Sequence, residues 1–185
     1  MSWTETFSGQ RVSFLDPDPD SIRLGDISTG LGNICRFTGQ IREHYSVAEH
    51  SVLVSTLLPD ELKLAGLLHD AHEAYTGDIH SGLKDLLGPA IVEIENRVQR
   101  AISQALGIDH HVFDDPLVKH ADTLALAIEA DQLKTTAATW ERLNGVERPV
   151  PLPTLYMWSG TNAKRAFENR YRALRGIGDE EDSFP

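Results

Sequence analysis

The chain has 185 residues, 41% of them hydrophobic and 24% charged, a composition that suits one globular domain with a sizeable core. Its formal net charge of −11 argues against a duplex nucleic-acid binder, because such proteins need a basic face to neutralise phosphates. The sequence has neither the roughly 20 consecutive apolar residues of a membrane span nor the basic start of a signal peptide, and its sole cysteine, Cys35, cannot form an intrachain disulfide. We therefore expect a single domain, residues 1–185, in the cytoplasm, with no membrane or duplex nucleic-acid partner.

Two short elements are predicted at the start of the chain. The alternation of polar and apolar residues in TFSGQRVSFLD predicts a small hairpin that turns at Gly9 and Gln10. A turn cluster, DPDPDS, follows it. The apolar spacing over residues 22–34 then predicts a helical segment that leads into Arg36.

Most of the remaining chain has the apolar periodicity of amphipathic helices. Four helices are predicted near residues 46–58, 61–76, 89–106 and 116–134. Ser46 and Glu49 form the S-x-x-E pattern of a capping box at the start of the first. A Pro-rich segment over residues 147–154 precedes a last helix from Ser159, and the acidic tail over residues 179–185 is expected to be mobile. The predicted fold class is therefore all-α, a helical bundle with a small N-terminal hairpin.

The segment LLHDAHEAYTGD carries the most informative feature of the sequence. His69 and Asp70 are adjacent metal-competent groups among Leu, Ala and Gly, where burial would normally penalise both side chains. A divalent cation would compensate that penalty. Further candidate ligands lie on two other helices, because His50 shares a face with core residues and Asp122 borders an apolar stripe. Two imidazoles and two carboxylates suit one Mn, Co, Ni, Fe, Zn or Mg ion per chain rather than a structural thiolate zinc site.

Each of these residues also has a simpler interpretation. A lone histidine on a helix is usually a partly buried hydrogen-bonding residue, and an aspartate such as Asp122 is more often exposed or close to a cap. The joint pattern is what favours a metal site.

Glu73 and Asp78 are candidate proton-transfer groups beside that ion. Glu73 follows His69 by four residues and Asp70 by three, so all three are predicted to project from one side of one helix. A carboxylate in that position can accept or return a proton, whereas the alternative is a solvated glutamate on a helix face. For Asp78 the alternative is a capping role for the following segment, HSGLKDLL.

Arg36 and Lys84 are the cations predicted to lie near a substrate phosphate. A guanidinium can form a forked pair with two oxygens, and an ammonium acts as a mobile point charge. Lys84 follows Asp78 closely in sequence, which favours a position at the same pocket.

Three blocks, YSVAEHS, LLHDAHEAYTGD and LVKHADTL, in this order and spacing, resemble the HD-domain phosphohydrolases, and within them the bacterial YfbR-type and YfdR-type 5′-deoxynucleotidases. The similarity extends to NICRFTG and, in weaker form, to nearly the whole chain. The resemblance implies four metal ligands, namely His50, His69, Asp70 and Asp122. It also implies that Glu73 and Asp78 lie beside the metal and that Arg36 reaches the substrate phosphate.

Phe37 departs from the pattern of the resembled family. At this position, directly after the arginine, the YfbR-type enzyme has a tryptophan near the sugar. Phe37 keeps a flat apolar face but lacks the indole N–H donor. By resemblance it is a substrate contact, and discrimination between deoxyribose and ribose is expected to be imperfect.

The resemblance implies a divalent-metal-dependent phosphohydrolase of small nucleotides, which converts a deoxynucleoside 5′-monophosphate to deoxynucleoside and phosphate. Arg36 with Lys84, and without a Gly-rich loop or basic run, fits a single phosphate better than a triphosphate. Two alternatives stay open: a triphosphohydrolase that releases tripolyphosphate from a deoxynucleoside triphosphate, and a non-catalytic module that binds nucleotide or metal. Related enzymes are often dimers, so a homodimer or higher homo-oligomer is one expected assembly.

Overall fold

The structure, a computed structural model, describes residues 2–134 and 140–178. Within these residues it is mostly helical, with one small antiparallel sheet, so the predicted all-α class is confirmed. None of the described helices is long and apolar enough to cross a membrane. The tail over residues 179–185, predicted to be mobile, lies outside the described residues.

The N-terminal hairpin consists of β1 (Trp3–Glu5) and β2 (Arg11–Ser13), which pair antiparallel with Trp3 opposite Ser13. Gly9 lies in the loop between the strands at φ +79°, a left-handed conformation that residues with a Cβ rarely adopt. The predicted hairpin is confirmed. Its loop is longer than the predicted turn at Gly9 and Gln10, because Glu5 pairs with Arg11 and the loop therefore spans residues 6–10.

The α-helices of the described residues are, in chain order, α1 (Leu24–Asn33), α2 (Val47–Thr56), α3 (Lys63–Leu68), α4 (Glu73–Thr76), α5 (Ser81–Leu87), α6 (Pro89–Ala105), α7 (Pro116–Leu133) and α8 (Gly160–Arg175). The bounds of α2, α6 and α7 agree with the prediction to within two residues, and α8 begins directly after its cap, Ser159. The sequence does not predict α5. Its leucines, Leu83, Leu86 and Leu87, are all exposed, so they form no buried stripe.

The predicted helix over residues 61–76 is wrong as one element, because the chain forms two short helices, α3 and α4, with a turn between them. The side chain of Gln99, from α6, lies in this break. Its Nε2 donates to the carbonyl oxygen of Leu68 at 2.8 Å, and its Oε1 accepts from the backbone N–H of His72 at 3.1 Å. An uninterrupted helix would bond these two backbone groups to each other. The break contains the adjacent His-Asp pair of the predicted metal site.

Two large apolar clusters form the core, and α2 and α3 contribute to both. The first packs α1, α2, α3, α6 and α8 together, and its fully buried side chains include Ile27, Leu31, Leu67, Ile102 and Phe167. α1 and α8 approach closely because both carry glycine at the contact, where a Cβ on Gly32 would lie 2.7 Å from the carbonyl oxygen of Gly160. The second cluster packs α2 and α3 against α7 through residues such as Val54 and Ile128. The predicted site lies where α2, the α3–α4 break and α7 meet.

The start of α2 is fixed by two side chains. Ser46 caps the helix as predicted, because its Oγ accepts from the backbone N–H of Glu49 at 3.1 Å. The reciprocal half of the capping box is wrong. The buried carboxylate of Glu49 accepts instead from the backbone N–H groups of Tyr156, Met157 and Trp158, at 2.6, 3.1 and 2.8 Å. These bonds hold the segment before α8 against α2.

Candidate metal centre

The four predicted ligands converge from three parts of the fold: His50 lies on α2, His69 and Asp70 lie in the α3–α4 break, and Asp122 lies on α7. The Nε2 atoms of the two histidines are 3.3 Å apart. Oδ1 of Asp122 lies 3.2 Å from Nε2 of His50 and 3.7 Å from Nε2 of His69. Oδ2 of Asp70 lies 3.1 Å from Nε2 of His69 and 3.5 Å from Nε2 of His50. The structure thus brings all four side chains together.

The spacing of these donor atoms fits a divalent ion. Atoms about 2.1 Å from a common ion lie about 3.0 Å apart at right angles and about 3.4 Å apart at the tetrahedral angle. The separations between the imidazole nitrogens and their neighbours, 3.1 to 3.7 Å, lie close to these values. His50, His69 and Asp122 form one group of donor atoms that all lie within 4.8 Å of one another, and Asp70 adjoins it beside the two imidazoles.

A hydrogen bond at Nδ1 sets the ring orientation of both histidines. Nδ1 of His50 lies 2.6 Å from Oε1 of Glu129, and Nδ1 of His69 lies 2.8 Å from the carbonyl oxygen of Gly66. Because an ionised carboxylate and a carbonyl only accept, each Nδ1 carries a proton, and the neutral ring then has its lone pair on Nε2. Such outer contacts fix the tautomer and raise the basicity of a metal-binding imidazole.

Glu129 is a site residue that the sequence prediction missed. It is fully buried and lies seven residues after Asp122 on α7. Besides contacting His50, its carboxylate accepts from the hydroxyl of Tyr45 at 3.0 Å and from Nε of Arg36 at 3.1 Å, and Nη2 of the same arginine is also 3.1 Å away. A glutamate inside the apolar run LALAIEADQL, two turns beyond a candidate ligand, is the sequence signal that could have indicated it.

The electrostatics of the cluster favour positive charge at the imidazoles. Burial alone would raise the pKa of Asp122, but hydrogen bonds with His50 and His69 hold it well below its ordinary value. Burial alone would lower the pKa of His69, but Asp70 and Asp122 raise it well above its ordinary value. The carboxylates therefore stay ionised at neutral pH, and they stabilise a positive charge between them, whether protons or a metal cation supply it.

Glu73 is the first residue of α4 and is buried, which excludes the alternative of a solvated helix-face glutamate. It starts a separate helix, so the prediction that Glu73 shares one continuous helix with the His-Asp pair is wrong. Burial, with Asp70 and Asp78 nearby, raises the pKa of Glu73 well above its ordinary value. Its Oε2 has no hydrogen-bond partner among the described residues, and its Oε1 lies 4.0 Å from Nζ of Lys84. Such a carboxylate can take up and return a proton.

Both predicted phosphate-binding cations are already paired with carboxylates. Nη1 of Arg36 lies 3.9 Å from Oδ2 of Asp70, in addition to the contacts with Glu129. Burial alone would lower the pKa of Arg36, but these carboxylates raise it, so the guanidinium stays charged. Nζ of Lys84 lies 2.9 Å from Oε1 of Glu95. The pairing fixes the position of each cation at a cavity beside the cluster, which both side chains line.

A cavity of about 790 Å³ opens beside the cluster, a size within the range of small-molecule sites. The predicted site residues that line it are Arg36, Phe37, Asp70, Glu73, Asp78, Lys84 and Asp122. Asp78 does not cap α5, because the cap is His80, whose Nδ1 accepts from the N–H of Gly82 at 3.1 Å. The cavity therefore brings the predicted catalytic and substrate-contacting residues to one place.

Two further lining residues, Trp140 and Arg142, were missed by the sequence prediction, because no periodicity or motif marks them. The ring centroids of Phe37 and Trp140 lie 6.2 Å apart, and Nη1 of Arg142 donates to Oγ of Ser81 at 2.8 Å. Phe37 and Thr38 both have positive φ, 56° and 51°, a conformation uncommon for such residues and found often at ligand sites. The strained turn thus supplies one aromatic part of the cavity lining.

Comparison with known proteins shows the family of this chain. It is 40% identical over 147 residues to the uncharacterized protein YfdR of Escherichia coli (strain K12), and this aligned region covers 79% of this chain and 81% of that protein. The chain belongs to the YfdR family. An uncharacterized protein of Rhodobacter capsulatus is 35% identical over 162 residues, 80% of this chain and 82% of that relative. No protein-family model matches the sequence. Neither relative's name states an activity, so the function of this YfdR-family chain has to be argued from its site.

Proposed function

We propose that the chain is a divalent-metal-dependent phosphohydrolase of small nucleotides, which converts a deoxynucleoside 5′-monophosphate to deoxynucleoside and orthophosphate. The observation that carries the proposal is the convergence of two imidazoles and two carboxylates beside a cavity of about 790 Å³ that also holds an arginine and a buried glutamate. Hydrolysis of a phosphate ester needs a cation site, a phosphate-binding charge and a proton-transfer group. This cavity offers candidates for all three.

We also assign the chain to the HD-domain type of phosphohydrolase and to the cytoplasm. The order of the converging residues, His50, then His69 with Asp70, then Asp122, supports the first assignment. The free thiol of Cys35, the sole cysteine, is consistent with a reducing compartment and supports the second.

Arg36 binds and orients the phosphoryl group in the proposed reaction. Its guanidinium is held in place by Glu129, so little side-chain freedom remains to be lost when a substrate binds. Its charge is retained at neutral pH and stabilises the charge that redistributes over the phosphoryl oxygens.

A divalent cation in the cluster would supply Lewis-acid polarisation of a phosphoryl oxygen and would lower the pKa of water. Glu73 takes the proton of the attacking water as the bond from the water oxygen to phosphorus forms. The same carboxyl then returns that proton to the 5′ oxygen as the bond between phosphorus and this oxygen breaks. The raised pKa of Glu73 suits the second step, because the group has to hold the proton until the 5′ oxygen takes it.

The charge of the cavity favours a monophosphate over a triphosphate. Six of its lining side chains are acidic and three, Arg36, Lys84 and Arg142, are basic. A triphosphate carries more negative charge than a monophosphate and therefore needs more cations than this lining provides. Arg142 is the one observation that favours the second candidate function, a triphosphohydrolase, because it adds a cation that the sequence prediction lacked.

A panel of deoxynucleoside monophosphates and triphosphates, assayed with added metal and with identification of the products, tests the proposal. We expect orthophosphate from monophosphates, no product after chelation, and no product from Asp122→Asn. The matched control is Asp131→Asn, a change of a surface carboxylate on the same helix, which should leave turnover unchanged. Tripolyphosphate from a triphosphate, with monophosphates untouched, would favour the triphosphohydrolase. Metal binding without any hydrolysis would favour the non-catalytic module.

A further inference from the structure

Gln99 is a buried polar residue, and both the NH₂ group and the oxygen of its side-chain amide bond the backbone of the α3–α4 break. Only 5% of the residue is exposed, and it lies on α6, which contributes none of the candidate ligands. Its amide bonds the carbonyl of Leu68 and the N–H of His72, the last residue of α3 and the residue before α4. It therefore stands in place of one backbone hydrogen bond of a continuous helix.

The residues bracketed by these two bonds are His69, Asp70 and Ala71, so they include two of the four candidate ligands. The other backbone bonds across the break span three residues: the N–H of Ala71 donates to Leu68 at 3.1 Å, and that of Glu73 donates to Asp70 at 2.9 Å. This tighter pattern leaves the break without the regular helical ladder. The contact with Gln99 is what ties the break to α6.

The position of a metal ligand has a narrow tolerance, about 0.2 Å in the distance to the ion. Without the amide of Gln99, the N–H of His72 would lose its hydrogen-bond partner and the carbonyl of Leu68 would keep only the bond from Ala71, which is unfavourable. The chain could relieve this by bonding the two groups directly. That closure would make α3 and α4 one helix and would displace His69 and Asp70 from the positions they have beside His50.

We infer that Gln99 is a positioning residue, which holds the helix open at the His-Asp pair so that both side chains reach one metal ion. The inference rests on the metal site of the proposed function. It goes beyond that proposal because it assigns a role to a residue that touches neither ion nor substrate. The same bonds also fix the start of α4, and with it the position of Glu73.

Titration of metal-free protein with Co²⁺ tests the inference through the affinity and the visible absorption of the bound ion. Gln99→Met keeps the length of the side chain but removes both bonds, and we expect affinity to fall by about 10–100-fold, with a changed Co²⁺ spectrum. Gln99→Asn keeps an amide that is too short to span both groups. We expect it to show a smaller loss in the same direction and to serve as the measurement should the Met variant fail to fold.

Two controls separate positioning from stability. Gln104→Met changes the same residue type at an exposed position of α6, and it should leave affinity, spectrum and Tm unchanged. Ser28→Ala removes a partly buried hydrogen bond to Glu168 between α1 and α8, at 2.6 Å, so it should lower Tm without changing Co²⁺ affinity. If Ser28→Ala weakens Co²⁺ binding as much as the Gln99 variants do, Gln99 has only a structural role and the inference fails.

If both Gln99 variants bind Co²⁺ with the affinity and spectrum of the wild type, the inference also fails, whether or not the protein hydrolyses nucleotides. Phosphate release by the wild-type protein, measured in parallel, keeps the two proposals apart. A wild-type protein that binds Co²⁺ but hydrolyses no nucleotide would overturn the proposed function, and the effect of Gln99 on Co²⁺ binding would still decide the inference. A wild-type protein that does not bind Co²⁺ would overturn the inference.

Discussion

Replacing Glu129 by glutamine should weaken both the fold and the metal site. The carboxylate is fully buried and accepts from His50, Tyr45 and Arg36. Glutamine keeps one acceptor oxygen but loses the charge, and it puts an NH₂ group against donors. Removing one partner of a buried ion pair costs about 3–5 kcal/mol, because the other charge is left uncompensated.

In a chain of this length each kcal/mol corresponds to about 2–4 °C, so thermal melting of Glu129→Gln should show a Tm lower by about 6–20 °C. Co²⁺ titration should show an affinity lower by about 10–100-fold, since the orientation of His50 is no longer fixed. The matched control is Asp131→Asn on the same helix, where a partly exposed carboxylate pairs with Arg148 and the expected loss is below about 1 kcal/mol. Equal Tm and Co²⁺ affinity in Glu129→Gln and wild type would refute the reasoning.

Further outcomes follow from the same site. His69→Ala should abolish both metal binding and turnover, and wild-type metal content in that variant, measured by elemental analysis, would contradict the ligand assignment. Glu73→Gln should retain the metal but lower kcat by about 10²-fold or more, because a proton-transfer group is removed; unchanged kcat would leave Glu73 a structural residue. Phe37→Trp should increase the preference for deoxyribose over ribose in kcat/KM, and an unchanged ratio would show that this ring does not contact the sugar. Burial alone would lower the pKa values of His50 and His69, but the nearby carboxylates raise both above their ordinary values, so protons compete with a metal for these rings. Co²⁺ affinity should therefore fall as pH is lowered from about 8 to about 6, and calorimetry that shows no such dependence would contradict the assignment of these ligands.

The parts of the fold that could be predicted are those that local chemistry determines. The periodicity of α6 and α7 and the cap at Ser46 depend on residues close in sequence, and the structure agrees with them. Glu49 was predicted to complete the cap, but its carboxylate instead bonds a segment more than a hundred residues away. No local signal could indicate that contact.

The same distinction holds for the candidate site. His50 was expected to share a face with core residues and Asp122 to border an apolar stripe, and the structure brings the two side chains to one cluster. The break at the His-Asp pair could not be predicted, because it depends on the amide of Gln99, which comes from another helix. Glu129 could have been suspected from its place in an apolar run, but its three partners depend on the tertiary fold.

Reconstitution with metal tests whether an ion held by the His-Asp cluster drives the proposed hydrolysis of a nucleotide monophosphate. Metal-free protein is titrated with Co²⁺, and orthophosphate release from a deoxynucleoside monophosphate is measured at each step. We expect release to be absent without the ion, to rise in proportion to added Co²⁺ and to reach a plateau at about one ion per chain. Release that is the same in metal-free protein, or that is absent at full Co²⁺ occupancy, would contradict the proposal.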